Sequence, residues 1–293
     1  MTHHLATQRD LEIVARIVAA AHDSARSGNA DSGALTLAQS PGPATPFETV
    51  AFQAGTVAGE WVTTPGAVVG GGVLLYLHAR RFQFDEPPGI YAAALSAATG
   101  RPVLLLRYRL APQHPYPAAL DDAVAAHRAL LTGHPAAQIV MAGHSAGATL
   151  ALSALQVLRD AGQPLPAGAV ALSPITDFTL SGKSLSENES TDVISLPETR
   201  QVRSAYLGAA DPAAAPQSPL AGDCAGLPPL LIACGGAEML RDDALRFAAR
   251  SSAAGVDVDL EVFEGMPHGF PVMPVDAAQV LLARIAAFTA RLS

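Results

Sequence analysis

Beyond Pro46, short apolar runs bounded by Gly and Pro alternate with longer Ala-rich stretches of helical character. The clearest runs are Val73-Leu74-Leu75-Tyr76-Leu77, Val103-Leu104-Leu105-Leu106, Ile139-Val140-Met141-Ala142, Ala169-Val170-Ala171-Leu172 and Leu230-Leu231-Ile232-Ala233. Runs this uniformly apolar fit strands covered on both faces, as in a parallel sheet. Helical segments between them then require right-handed crossovers and helices on both sides of the sheet. The last run differs: Val256, Val258, Leu260 and Val262 alternate with Asp257, Asp259 and Glu261. Its period predicts a strand with one wet face at the edge of the sheet, its carboxylates serving either as edge protection or as an interface.

The first residues follow another rhythm. Leu11, Val14, Val18 and Ala21 recur at helical spacing and predict an amphipathic helix over 10–22. Residues 24–46 are rich in Ser, Gly, Ala and Pro with no period, and read as a linker or a flap. Residues 179–210 interrupt the strand and helix alternation with Ser, Glu, Asn and Gly before a helical stretch over 199–207, and read as an insertion near an active-site mouth. At 293 residues, with about half of them apolar, the chain can bury one sizeable core. The expected organisation is an N-terminal segment, 1–48, and one α/β catalytic domain, 49–293, carrying the insertion.

Charge narrows the choice of partners. A formal net charge of −8 disfavours phosphate backbones and anionic lipid, so neither nucleic acid nor a membrane surface is expected. No stretch of about 20 uninterrupted apolar residues occurs, and Met1-Thr2-His3-His4-Leu5 does not resemble a secretory leader. Cys224 and Cys234 are the only thiols and stand in no metal-ligand spacing, which points to the reducing cytoplasm and to no metal site. His3 and His4 read as surface residues at a frayed end.

Candidate chemistry centres on Gly143-His144-Ser145-Ala146-Gly147, which follows one apolar run directly and opens a helical stretch over 148–158. Strand, G-x-S-x-G and helix in that order make a sharp turn that exposes the central serine at the carboxyl edge of the sheet. The flanking glycines remove side chains that would collide there. Ser145 is then the candidate nucleophile, and the Ala146 N–H, at a helix N-terminus, a donor to a developing oxyanion. His144 points elsewhere on such a turn and reads as a structural residue beside the pocket.

A serine hydroxyl needs an imidazole to take its proton and a carboxylate to orient the imidazole. In this arrangement the chain order is Ser, acid, His, and His268 is the only histidine after Ser145. It lies in Gly265-Met266-Pro267-His268-Gly269-Phe270, a loop just past the last strand. For the acid, the loop after the Leu230 run reads Cys234-Gly235-Gly236-Ala237-Glu238, with Asp242 and Asp243 following at the start of a helix. Glu238 is the preferred acid and Asp242 the alternative, because an acid near a helix N-terminus has a capping explanation.

These segments together resemble the hormone-sensitive lipase group of α/β-hydrolase esterases, from about residue 60 to the end. Tyr108-Arg109-Leu110-Ala111-Pro112-Gln113-His114-Pro115-Tyr116-Pro117-Ala118-Ala119-Leu120-Asp121-Asp122 looks like the signature stretch of the group, with Gln113 where Glu is usual. Ser173-Pro174, Asp177, Tyr206-Leu207-Gly208, Gly226-Leu227-Pro228-Pro229 and Gly265-Met266-Pro267-His268 are similar too. The resemblance implies a mostly parallel α/β-hydrolase sheet under a small helical cap, formed by the N-terminal region and the insertion at about 179–210. It implies hydrolysis of small acyl esters through a serine acyl-enzyme without a cofactor, with the acid at Glu238. Relatives often pair as homodimers through the last strand, where Asp257, Asp259 and Glu261 would meet like charges.

One stretch departs from the group. After the strand ending at Leu77, members carry His-Gly-Gly-Gly, whose glycine N–H groups complete the oxyanion hole, whereas this chain reads His78-Ala79-Arg80-Arg81. A non-glycine residue in such a backbone region costs about 1–3 kcal/mol, whereas a lost oxyanion donor costs about 2.7–4 kcal/mol of transition-state stabilisation. The alternatives are that Ala79 and Arg80 still aim their N–H groups inward with Ala146, that an Arg side chain replaces them, or that the scaffold serves a dehydratase, cyclase, acyl transferase or ligand-binding protein. His78, Arg80, Arg81 and His144 are the candidate substrate-binding residues. Arg80 or Arg81 would suit a substrate carboxylate, which a guanidinium matches in bidentate fashion.

Overall fold

The computed structural model of the chain describes residues 1–26, 46–79, 81–83 and 89–292. One nine-stranded sheet runs through it. Its strands are β1 (Thr2–His4), β2 (Glu48–Ala54), β3 (Val57–Thr63), β4 (Val73–Leu77), β5 (Val103–Leu106), β6 (Ile139–His144), β7 (Gly168–Leu172), β8 (Leu230–Gly235) and β9 (Val258–Phe263). The spatial order is β1-β9-β8-β7-β6-β4-β5-β3-β2, antiparallel at β2/β3 and β3/β5 and parallel elsewhere. The five apolar runs of the sequence are β4 to β8, buried along their whole length.

The helices are α1 (Gln8–Arg26), α2 (Ile90–Thr99), α3 (Ala118–Leu130), α4 (Ala146–Asp160), α5 (Ser184–Glu187), α6 (Leu196–Leu207), α7 (Arg241–Ala253) and α8 (Asp276–Arg291). Two apolar layers sandwich the sheet. One joins Leu75, Leu104 and Met141 to Leu120 of α3, Leu152 of α4 and Phe247 of α7. The other joins Leu74, Leu105 and Val140 to Ile17 of α1, Leu95 of α2 and Ile285 of α8. Side chains alternating along each strand therefore feed opposite cores, which is why the strand sequences show no polar phase. Between β7 and β8 the chain leaves the sheet for an excursion that carries α5 and α6. The flap proposed over 24–46 lies outside the described residues from 27 to 45.

One element was missed, and several expectations need correction. The hairpin of β2 and β3 was invisible to the hydrophobic pattern, because β2 is exposed almost throughout and even its Val50 faces solvent. The alternating strand β9 is not the edge, because β1 pairs with it in parallel, Thr2 opposite Glu261 and His4 opposite Phe263. Nor do its carboxylates simply face water. Glu261 is fully buried and bonded to Arg284 of α8 and to His4 Nε2 at 2.5 Å, while Arg291 of α8 pairs with Asp257 and Asp259. For the same reason His3 and His4 are not frayed: His3 bonds Glu264 at 2.6 Å, and the His4 ring stacks on Phe263. An interface made by adding a strand to an open β9 edge is thus closed by residues 2–4, and these residues belong to the main sheet rather than to a separate N-terminal cap.

Candidate active site

The turn from β6 into α4 is built around two glycines that tolerate no side chain. A Cβ on Gly143 would lie 2.2 Å from the Gly147 carbonyl oxygen, and one on Gly147 would lie 1.9 Å from the Leu77 carbonyl oxygen. Between them Ser145 is held at φ 53, ψ −116, a strained geometry for a non-glycine residue, with its N–H bonded to Leu172 O at 2.7 Å. The turn presents the hydroxyl at the carboxyl end of the central strands. The Ala146 N–H begins α4 and has no carbonyl of its own helix to bond, so it is available to an anion beside Ser145.

His268 comes to this hydroxyl from the loop after β9, with Nε2 2.9 Å from Ser145 Oγ. On its other side Glu238 Oε2 stands 3.7 Å from Nδ1. That is ion-pair range, longer than a hydrogen bond, and carboxylate to imidazole contacts of this kind commonly tighten only when a reaction complex forms. Glu238 is fully buried and accepts from Ser173 Oγ at 2.7 Å. Burial opposes a charge on His268, yet Glu238, helped by Asp192, outweighs burial and holds its pKa above the ordinary value. A buried imidazole that gains basicity from an adjacent carboxylate is suited to taking a hydroxyl proton.

Of the two acids weighed from the sequence, only Glu238 reaches the imidazole. Asp242, in the first turn of α7, accepts the Ser184 N–H and pairs with Arg241 instead. The acid loop rides directly on the base loop: a Cβ on Gly235 would lie 2.1 Å from Met266 O, and Ala237 N–H donates to the same carbonyl.

The candidate pocket residues divide differently. His144 is buried with its ring 5.9 Å from that of His268, and burial, with His268 adding to it, drives its pKa down to about 3, so it stays neutral. His78, expected to touch substrate, is instead fully buried, stacked on Tyr108 at 4.3 Å with Nδ1 2.9 Å from Ala79 O. Tyr108 OH donates to His78 O and Ala79 O. The two rings thus pin the carbonyls of the loop that replaces the glycines. Arg80 lies outside the described residues. Arg81 adopts φ 61 and Phe82 φ 58, left-handed backbone at two residues that are not glycine. Two contacts hold it there: Arg81 pairs with Glu198 of α6 at 3.2 Å, and Phe82 stacks on Tyr206 at 3.8 Å. Arg81 therefore faces a carboxylate of its own chain, which a substrate carboxylate would have to displace.

Sequence reasoning missed Asp192, Glu198 and the part played by Ser173. Ser173, at φ 49, turns its hydroxyl onto Glu238. Asp192 is fully buried, with Oδ1 accepting the His268 N–H at 2.7 Å and Oδ2 the Met239 N–H at 2.6 Å. Burial, against the pull of neighbouring His268, pushes its pKa up to about 6. For Glu198 a signal existed: Ser195-Leu196-Pro197-Glu198 is a capping box, although its outward arm to Arg81 has no counterpart in that motif. Nothing in the local sequence marks Asp192. Among the described residues no group of three or more His, Cys, Asp or Glu side chains converges in a way that could hold a metal ion, and no helix is long and apolar enough to cross a membrane.

The chain is similar to several known proteins. It is 41% identical over 228 residues to an acetyl-hydrolase of Streptomyces hygroscopicus, covering 75% of this chain and 76% of the relative. It is 34% identical to an esterase of Acinetobacter venetianus, covering 68% and 67%. Among solved structures, an esterase from the bacterial hormone-sensitive lipase family superposes with a TM-score of 0.88 at 36% identity, covering 98% of this chain and 99% of that one. A homologue of hormone-sensitive lipase from a metagenome library superposes with a TM-score of 0.87 at 33% identity, covering 96% and 98%. A family model described as the alpha/beta hydrolase fold matches residues 75–272, and with it the chain belongs to the α/β-hydrolase family, among the esterases of its hormone-sensitive lipase group.

Proposed function

We propose that this esterase cleaves esters of small acyl groups through an acyl-enzyme on Ser145, with His268 as base and Glu238 as acid. The observation that carries the assignment is the 2.9 Å contact from His268 Nε2 to Ser145 Oγ, with Glu238 on the far side of the ring. Ser145 Oγ attacks the ester carbonyl carbon as its proton passes to Nε2, and the carbonyl oxygen takes the negative charge. The Ala146 N–H receives that oxyanion, together with the Ala79 N–H from the loop that replaces the glycines. Collapse breaks the bond to the alkoxy oxygen, which leaves with the proton from Nε2. Water then adds to the acyl carbon, gives a proton to Nε2, and the acid departs as Ser145 recovers its proton.

In this reading the loop around Ala79 keeps its donor because it keeps its backbone shape, held by Tyr108, Glu198 and Tyr206 in place of glycine freedom. The insertion carrying α5 and α6 forms the cap and bounds the acyl pocket. The Arg81 to Glu198 pair leaves little net charge there and favours neutral acyl groups over carboxylate-bearing ones. The buried, unpaired thiols of Cys224 and Cys234 support a reducing cytoplasmic setting.

The test is turnover of a short-chain nitrophenyl ester and labelling by a fluorophosphonate, with Ser145→Ala and His268→Ala alongside. Both signals should vanish in Ser145→Ala, and turnover should collapse in His268→Ala. Residual turnover in Ser145→Ala near the native rate would reject the assignment. Labelling without turnover in the native chain would reject hydrolysis itself.

A further inference from the structure

A carboxylate with no access to water and no cation beside it needs a reason to stay charged. Asp192 is in that position, since no Lys or Arg pairs with it among the described residues. Its oxygens are instead taken by backbone donors of three segments: Val193 and His268 on Oδ1, each at 2.7 Å, and Met239 on Oδ2 at 2.6 Å. Two of these donors are telling. His268 is the candidate base itself, and Met239 follows the candidate acid, Glu238. The main-chain carbonyl of Asp192 is held in turn by His22 of α1 at 2.9 Å.

We infer that Asp192 is a positioning residue for this site: its carboxylate fastens the base loop to the acid loop and sets a second negative charge behind the His268 imidazole. The inference rests on the reading of Ser145, His268 and Glu238 given above. A neutral acceptor would hold the same N–H groups without the penalty of burying a charge. What only a charge supplies is support for the imidazolium that forms when Ser145 gives up its proton. Glu238 does not supply all of it, because its Oε2 is 3.7 Å from Nδ1 and shared with Ser173. The titratable groups facing Asp192 are His268 from the base loop, Glu238 from the acid loop, and His22 from α1 against its main chain. The like charge of Glu238 makes Asp192 easier to protonate, and His268 makes it harder.

The decisive variant is Asp192→Asn, which keeps an acceptor for His268 N–H but turns an amide NH2 toward the Met239 N–H and removes the charge. Active sites are counted with a fluorophosphonate, and a short-chain nitrophenyl ester is followed across pH, with native protein and Ser145→Ala beside it. The expected result is a kcat per titrated site lower by about 10- to 100-fold, from a base displaced and less basic. KM should be nearly unchanged, and the acid limb of kcat/KM should move to lower pH, because a lost negative neighbour lets the imidazolium shed its proton more easily. A kcat per site and an acid limb both matching the native protein would overturn the inference, even if Tm fell. Should the variant fail to fold, the native protein answers: with circular dichroism unchanged, its kcat/KM should fall more steeply than first order in protons below about pH 6, as Asp192 and His268 both protonate, and a simple first-order fall would overturn the inference. If Ser145→Ala keeps turnover, the underlying reading fails instead. If Ser145→Ala is dead and Asp192→Asn is native-like, only this inference fails.

Discussion

Replacing Glu238 by Gln removes the charge beside His268 while keeping the side chain's volume and its acceptor for Ser173. The site is dry, since Glu238 is fully buried and His268 nearly so. At the observed 3.7 Å, a unit charge stabilises the imidazolium by about 4 kcal/mol at an effective dielectric constant of about 20. Most of that benefit appears only as the proton moves from Ser145 to Nε2, so it belongs to the transition state and should appear in kcat rather than KM. Its loss corresponds to about a thousandfold fall in kcat. A wrong tautomer of His268, once no carboxylate holds the Nδ1 proton, would deepen the loss. Because Glu238 raises the basicity of His268, the acid limb of kcat/KM in Glu238→Gln should also shift to lower pH. The assay is steady-state hydrolysis of a nitrophenyl acetate across about pH 5 to 9, normalised by fluorophosphonate titration, with Asp242→Asn as the companion. Asp242 contacts Ser184 and Arg241 but not His268, so its variant should hold kcat within a few-fold. A Glu238→Gln enzyme within about tenfold of native, or an Asp242→Asn enzyme that falls further, would refute the assignment of the acid.

Other parts of the fold carry equally specific expectations. Gly147→Ala would place its Cβ 1.9 Å from the Leu77 carbonyl oxygen, a backbone atom that cannot swing away, so the variant should lose several kcal/mol in urea titration or fail to fold; a native-like midpoint would contradict the close packing of the turn. Arg284→Met strips the guanidinium from buried Glu261, leaving His4 as its remaining partner, and should cost about 2 kcal/mol, whereas the double variant Arg284→Met, Glu261→Leu should recover most of it, since the penalty lies in a buried charge that has lost its cation. Additive losses in that cycle would show that the pair is not coupled. Asp243 has its pKa pushed up to about 8, mainly by burial and then by Asp177. The folded state therefore binds a proton that the unfolded state has released, from about pH 4 upward, and stability should fall as pH rises toward 8. Asp243→Asn, which still accepts the Thr176 N–H, should flatten that decline in Tm against pH, and an unchanged slope would show that Asp243 is not its source.

Much of the architecture was legible because burial on both faces leaves a signature. The strands β4 to β8 read as apolar runs, since each of their faces meets a helix layer. The turn around Ser145 was legible because two glycines and a serine between a strand and a helix have few other uses. What escaped notice has physical causes in turn. β2 is an exposed edge strand with no core to imprint a period on it. β9 shows a correct alternation, yet Glu261 on its polar face is buried against Arg284 and His4 while Asp257 and Asp259 pair with Arg291, and a carboxylate paired with a distant arginine looks in sequence like one facing solvent. Ser173 and Asp192 make long-range hydrogen bonds to Glu238 and His268, 65 and 76 residues away. No local spacing encodes those partners. The substitution of Ala-Arg-Arg for glycines leaves open whether the loop still aims its N–H groups inward, an Arg side chain replaces them, or the scaffold serves another reaction. The loop's contacts with Tyr108, Tyr206 and Glu198, which the proposed function reads as a replacement for glycine freedom, come from other segments of the chain and are visible only after folding.

The contact of Gly235 with the Met266 carbonyl has a consequence for altering this enzyme by mutation. A library that varies the loop of the acid alone will be dominated by inactive members, because any side chain at Gly235 drives the base loop away from Ser145. Beneficial changes in the two loops should then be strongly epistatic, each tolerated only with a matching change at 264–268. Randomising α6 together with Arg81 and Phe82, whose contacts with it are side chain to side chain, leaves that shared backbone seam untouched and is the route by which the proposed cap would be tested for new acyl specificity.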